Sequence, residues 1–160
     1  MTRFEKAETI VGLLQKQNRH LTFADSCTGG RAAAGIVDVP SASAVLDVSF
    51  VTYANEAKMQ FVNVSADTIA AHGVVSEPVA GEMAAGCAKA ASAQVGVGIS
   101  GIAGPGGGTP TKPVGMVCFG FCVDGEISTY TKQFGALGRS EVRDAAVDFV
   151  YDTLLTLLQK

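Results

Sequence analysis

A chain of 160 residues, 48% apolar and 17% charged, is long enough for one domain with a sizeable core and too apolar to stay disordered. Its net charge of −3, from 12 Lys and Arg against 15 Asp and Glu, leaves no basic footprint for nucleic acid. The longest uncharged apolar run, Val114 to Val123, falls far short of the roughly 20 residues a membrane helix needs.

Thr2-Arg3-Phe4-Glu5 has capping-box spacing and opens a helix. Phe4, Ala7, Val11 and Leu14 give that helix one apolar face, and Glu5 and Glu8 make it unlike a secretory signal. Leu21 to Ala24 reads as a buried strand and Arg31 to Val37 as an Ala-rich helix. Pro40 breaks that helix, and Ser41 to Leu46 is a short helical turn. Val48 to Tyr53, β-branched and aromatic, reads as the second strand. Asn55 is expected to cap a helix through Phe61, and a further helix runs from Ser65 to Ala71 and stops at Gly73. Ser76-Glu77-Pro78 opens a helix that continues to about Ser92. Gln94 to Ser100 is the third strand. Gly96 to Gly101 spells GxGxxG, but its glycines lie within the strand and no helix follows, so the dinucleotide reading is rejected. Five glycines between Gly101 and Gly108 then form a loop between two buried-looking strands, which reads as ligand-binding rather than as a linker. Val114 to Val123 and Glu126 to Phe134 pair as a hairpin around Asp124-Gly125. Gly138-Arg139-Ser140 opens the last helix.

Strands separated by helices, then a hairpin, predict an α/β fold. Its sheet is mostly parallel, with helices on both faces and one antiparallel strand near its end. Ligands in such sheets sit beyond the carboxyl ends of the parallel strands. Ser26 to Gly30, Tyr53 to Lys58 and Ser100 to Thr109 all fall at that edge. Asp25-Ser-Cys-Thr-Gly-Gly30 lies between strand and helix, where free N–H groups can hold an anion or an oxyanion and Ser26 offers a hydroxyl. The same stretch also suits an ordinary strand–turn–helix whose Ser or Thr caps the helix. Cys27, Cys87, Cys118 and Cys122 form no C-x-x-C, and with only His20 and His72 beside them they point to a reducing compartment and no metal site.

Asp25-Ser-Cys-Thr-Gly-Gly30, Tyr53-Ala-Asn-Glu-Ala-Lys58, His72-Gly-Val-Val-Ser-Glu-Pro78, Gly101-Ile-Ala-Gly-Pro-Gly-Gly-Gly108 and Lys112-Pro-Val-Gly115 occur in this order. Together they closely resemble the C-terminal domain of the competence-damage-inducible protein CinA and its stand-alone relatives, across nearly the whole chain. Two positions depart from the family pattern: Asp25 stands where Glu is usual, and Ser100 where Thr is usual. The resemblance implies a three-layer α/β/α sandwich of about five strands, with residues 1–160 forming one domain and the N-terminal domain of full-length relatives lacking. It also implies hydrolysis of nicotinamide mononucleotide (NMN) to nicotinate mononucleotide and ammonia, in pyridine-nucleotide recycling.

Onto this chain the resemblance carries Ser26 as nucleophile, Lys58 as base and Tyr53 as an assisting group. A Ser–Lys pair suits a chain with no well-placed His. Thr28, Gly29 and Gly30 are the oxyanion candidates. Ser100, Gly101, Gly104, Gly106 and Thr109 are expected to wrap ribose or phosphate. Arg139 and Arg143, four apart on one helix face, are the candidates for the phosphate. Against these stand plainer readings: a solvated Lys58, a packing Tyr53, surface arginines. A Cys27 hydrolase and a non-catalytic nucleotide-binding or regulatory domain are the rival functions. The expectation is a cytoplasmic homo-oligomer acting on a small molecule, with no cofactor and no nucleic-acid or membrane partner.

Overall fold

The computed structural model describes residues 1–160. In chain order the elements are α1 Arg3–Lys16, β1 Leu21–Asp25, α2 Arg31–Val37, a 3-10 turn Ala42–Ala44, β2 Phe50–Val51, α3 Asn55–Val62, α4 Ala66–His72, α5 Glu77–Ala91, β3 Val95–Gly101, β4 Met116–Val123, β5 Glu126–Gln133 and α6 Arg139–Leu158. The expected capping box is present: the Thr2 hydroxyl accepts from the Glu5 N–H, and the Glu5 carboxylate accepts from the Thr2 N–H at 2.7 Å. Asp124 and Gly125 both have positive φ, as a tight two-residue hairpin requires.

One five-stranded sheet runs β2-β1-β3-β4-β5. β1 is parallel to β2 and β3, while β4 is antiparallel to both β3 and β5. Four strands therefore share one direction and β4 alone is reversed. Alternation along the strands divides the interior into two layers. Phe23, Val97, Ile99, Phe119 and Phe121 join the large cluster built with α1, α2 and α6. Ala24, Cys118 and Cys122 turn to the other side, where α3, α4 and α5 lie. This is the three-layer α/β/α sandwich.

The glycines of the GxGxxG stretch have a packing role. A Cβ on Gly96 would collide with the Ala84 carbonyl oxygen, and one on Gly98 with that of Ala80. A Cβ on Gly120, the β4 partner of Gly98, would also strike Ala80. These three glycines let α5 lie directly on the sheet.

Two local expectations change. The second strand shortens from 48–53 to Phe50–Val51, because side chains replace the ladder upstream of it. The Thr22 hydroxyl donates to the Val48 carbonyl at 2.7 Å, and the Phe23 N–H donates to the Ser49 hydroxyl at 3.3 Å. Asn55 is the first residue of α3 rather than its cap, which is Ala54 and offers no side-chain bond. No helix is long and apolar enough to cross a membrane. The carboxyl ends of β2, β1 and β3, at Val51, Asp25 and Gly101, lie side by side along one edge.

Candidate active site

A cavity of about 270 Å³ opens at that edge. The β1–α2 turn supplies Ser26 and Cys27 to its lining, and the start of α3 supplies Asn55 and Lys58, with Tyr53 just before them. The end of β3 and the loop after it add Ser100, Gly101, Gly104, Gly106 and Gly107, and Arg139 comes from α6. Val74, Val75, Ile102 and Ala103 give it an apolar wall.

Ser26 is 7% exposed. Its hydroxyl donates to the Ile99 carbonyl at 3.0 Å, and its N–H donates to the same oxygen at 3.2 Å. The preceding Asp25 is buried and turns its carboxylate back on the turn, accepting from the Thr28 N–H at 3.2 Å and from the Gly30 N–H at 2.7 Å. Burial raises the Asp25 pKa, and these hydrogen bonds and the charge of Arg143 pull the other way without cancelling it. Cys27 packs into the main core cluster. Burial first, and the neighbouring Asp25 charge second, push its thiol up to about 12. A thiol so rarely ionised at neutral pH is a poor nucleophile, and this counts against the Cys27 hydrolase.

Lys58 is among the most deeply buried large side chains of the protein, 2% exposed. Its ammonium donates to the carbonyls of Thr52 at 2.9 Å and Tyr53 at 3.3 Å, and no carboxylate pairs with it. Desolvation therefore lowers its pKa. The plain reading of a solvated helix lysine is excluded. Ser26 and Lys58 share the cavity but not a hydrogen bond. The hydroxyl must turn away from the Ile99 carbonyl before it can give up its proton to a neighbouring base.

The two arginines part company. Arg139 lies at the rim, donating to the Gly104 carbonyl at 2.7 Å and to the Tyr53 phenol oxygen at 3.2 Å. It thus ties the glycine-rich loop to Tyr53, which is 64% exposed. Arg143, one helical turn further on, lies behind the turn that carries Ser26 and does not line the cavity. It donates to the carbonyls of Cys27 at 2.9 Å and Thr28 at 3.0 Å.

The expected site residues therefore separate into two groups. Ser26, Tyr53, Lys58, Ser100, Gly101, Gly104, Gly106 and Arg139 meet in the cavity. Thr28, Gly29, Gly30, Thr109 and Arg143 are not brought into it. The N–H groups of Thr28 and Gly30 are taken by Asp25, and that of Gly29 by the Ser26 carbonyl at 3.1 Å. Thr109 instead closes its own turn, exchanging bonds with Lys112. Ser100 is anchored, its hydroxyl donating to the Val74 carbonyl at 2.7 Å. Gly107 lines the cavity as part of the expected ligand-binding loop, whereas Asn55, Val74 and Val75 are lining residues with no site role foreseen from sequence. These three lie inside the motifs around Tyr53 and His72, which was the available signal. No three His, Cys, Asp or Glu side chains cluster as metal ligands.

The family model described as CinA C-terminal domain matches residues 3–158. A nicotinamide-nucleotide amidohydrolase, PncC, of Shigella flexneri is 46% identical over 149 residues, 92% of this chain and 90% of that protein. A CinA-like protein of Kosmotoga olearia is 43% identical over 94% of this chain, which spans only 37% of that longer relative. Among solved structures, a competence or damage-inducible protein from Enterobacter asburiae superposes with a TM-score of 0.95 at 34% identity, covering 99% of both chains. A competence/damage-inducible protein from Agrobacterium tumefaciens gives 0.94 at 34% identity, over 99% of this chain and 96% of that one. This chain belongs to the CinA C-terminal domain family.

Proposed function

We propose that this chain hydrolyses the amide of NMN, giving nicotinate mononucleotide and ammonia, and so serves pyridine-nucleotide recycling. The observation that carries the reading is one cavity holding a buried serine hydroxyl, a buried lysine with no carboxylate partner, and an arginine at the rim. Relatives of nearly the same length named nicotinamide-nucleotide amidohydrolases support it.

The chemistry runs in two halves. The Ser26 oxygen attacks the amide carbon while its proton passes to neutral Lys58. The tetrahedral intermediate collapses, the C–N bond breaks, and protonated Lys58 returns the proton to the departing nitrogen, which leaves as ammonia. Water then attacks the seryl ester, Lys58 takes and returns a proton again, and nicotinate mononucleotide is released with Ser26 restored. The apolar wall of Val74, Val75, Ile102 and Ala103 suits the flat pyridine ring. Arg139 suits the phosphate, since a guanidinium can hold two of its oxygens at once. Tyr53, bonded to Arg139 at the rim, assists at the phosphate end in this scheme rather than at the serine.

The test is ammonia release by the purified protein from NMN, compared with nicotinamide, its riboside and NAD. Release from NMN that Ser26→Ala abolishes supports the reading. Tight NMN binding without ammonia release replaces it by the non-catalytic nucleotide-binding domain.

A further inference from the structure

The turn after β1 has six backbone N–H groups from Ser26 to Arg31. Five have acceptors within the chain. Ser26 donates to Ile99, Thr28 and Gly30 to Asp25, Gly29 to Ser26, and Arg31 to the Thr28 carbonyl at 3.1 Å. Only the N–H of Cys27, the residue after the serine, has no acceptor on another residue. Buried backbone donors are nearly always paired, and this one, on a cavity-lining residue, meets only its own thiol, a weak acceptor that a ligand oxygen can displace.

The same turn is gripped from two sides by opposite charges. Asp25 takes two of its N–H groups, and Arg143 takes two of its carbonyls, those of Cys27 and Thr28. Arg143 at the Cys27 carbonyl and Asp25 at the Thr28 N–H hold the two sides of one peptide plane, and Asp25 also holds the Gly30 N–H. The adjoining Ser26–Cys27 plane, which carries the Cys27 N–H, is fixed through the Ser26 carbonyl that accepts from Gly29. Gly29 makes room for this grip. Its φ is +60°, and a Cβ there would stand 2.9 Å from Arg143 Nη2.

We propose that Asp25 and Arg143 are positioning residues that clamp the Ser26 turn so that the Cys27 N–H receives the oxyanion formed when Ser26 attacks its substrate. This rests on the hydrolytic reading given above. It assigns Arg143 to the nucleophile rather than to the phosphate, and it replaces Thr28, Gly29 and Gly30 as the oxyanion donors. A donor on the residue following the nucleophile is the arrangement that strand-to-helix serine elbows use.

The experiment uses Arg143→Ala, Arg143→Lys and Asp25→Asn in the full chain, with two readouts. In steady-state hydrolysis of NMN, Arg143→Ala and Asp25→Asn are expected to lower kcat by about 10²-fold with KM little changed, because a loosened turn costs transition-state contacts. Arg143→Lys, which keeps one donor, recovers part of the loss. In amide hydrogen exchange, independent of any activity, both variants speed exchange at Thr28 and Gly30 while β3 keeps wild-type protection. That second readout also guards against a variant that merely unfolds, in which β3 loses protection too, and Arg143→Lys then decides. Unchanged exchange at the turn overturns the clamp. Faster exchange with unchanged kcat overturns its role in positioning. A loss confined to KM on NMN and absent on the riboside returns Arg143 to the phosphate and overturns the proposal. Wild-type protein that releases no ammonia defeats the hydrolytic reading and the oxyanion role with it, while the exchange data still decide whether the clamp exists.

Discussion

Lys58 offers the sharpest test, because its burial leads to two measurable consequences. A lysine at its ordinary pKa of 10.5 is neutral in only about one molecule in 10³ at pH 7.5, and every unit by which burial lowers that pKa raises the neutral fraction about tenfold. The rate of NMN hydrolysis should therefore climb with pH along a limb whose midpoint lies below 10.5. Lys58→Met keeps the apolar stem and removes the base, and a lost general base typically costs about 10²–10⁴ in kcat, or roughly 3–5 kcal/mol of barrier. Lys58→Arg keeps the charge and can still bond the Thr52 and Tyr53 carbonyls. It cannot lose a proton in this range, so it should be nearly as inactive. The second consequence concerns stability. The pKa is lower in the folded chain than in the unfolded one, so between the two values the unfolded chain binds more protons. Stability must then rise with pH through that window, and the destabilisation is fully present below the folded pKa. Denaturant titrations across pH 7–10.5 should show wild type gaining on Lys58→Met as pH increases. Activity of Lys58→Arg above roughly a tenth of wild type with the same pH limb would refute the base assignment. Lys58 would then be an electrostatic group, and a bound water would be the better base.

Three further outcomes follow. Ser26→Ala should fold normally and lose about 10³-fold or more in NMN hydrolysis, while Cys27→Ala stays active; thermal melts with an ammonia assay check both. Arg139→Ala should raise KM for NMN by about tenfold or more and scarcely affect the phosphate-free riboside, if that is turned over; equal losses on the two would exclude a phosphate contact. Gly98→Ala should destabilise by about 1–3 kcal/mol in denaturant titration, because its methyl group meets the Ala80 carbonyl and forces α5 off the sheet.

Much of the fold is legible in particular residues of the sequence. The order of strands and helices was readable because its signals are local: the Thr2–Glu5 capping box, the Asp124-Gly125 turn, and the apolar runs of β1, β3 and β4. The edge that gathers Ser26, Lys58 and Ser100 followed from topology alone, since consecutive parallel strands place their carboxyl ends together. That Lys58 is buried with a lowered pKa could be expected from its role as a base, but what holds it there, the carbonyls of Thr52 and Tyr53, was not readable. Nor was the fate of the turn's N–H groups. Asp25 precedes the serine in any reading, but whether its carboxylate faces the core or its own turn depends on the left-handed conformations of Gly29 and Gly30.

The arginine pair shows why spacing alone misleads. Arg139 and Arg143 do emerge from one side of α6, as a separation of four requires. A helical rise of about 6 Å between them is enough to put one at the cavity rim and the other behind the turn that carries Ser26. Each then takes the backbone carbonyls within its reach: Gly104 for Arg139, Cys27 and Thr28 for Arg143. The first turns of α6 thereby touch both the loop at the cavity mouth and the turn that carries Ser26. Under the proposed reaction, one rigid helix sets the distance between the phosphate end of the substrate and the attacking oxygen. Arg139 and Arg143 should accordingly be separable in kinetics, the first in KM and the second in kcat, although no feature of their spacing distinguishes them.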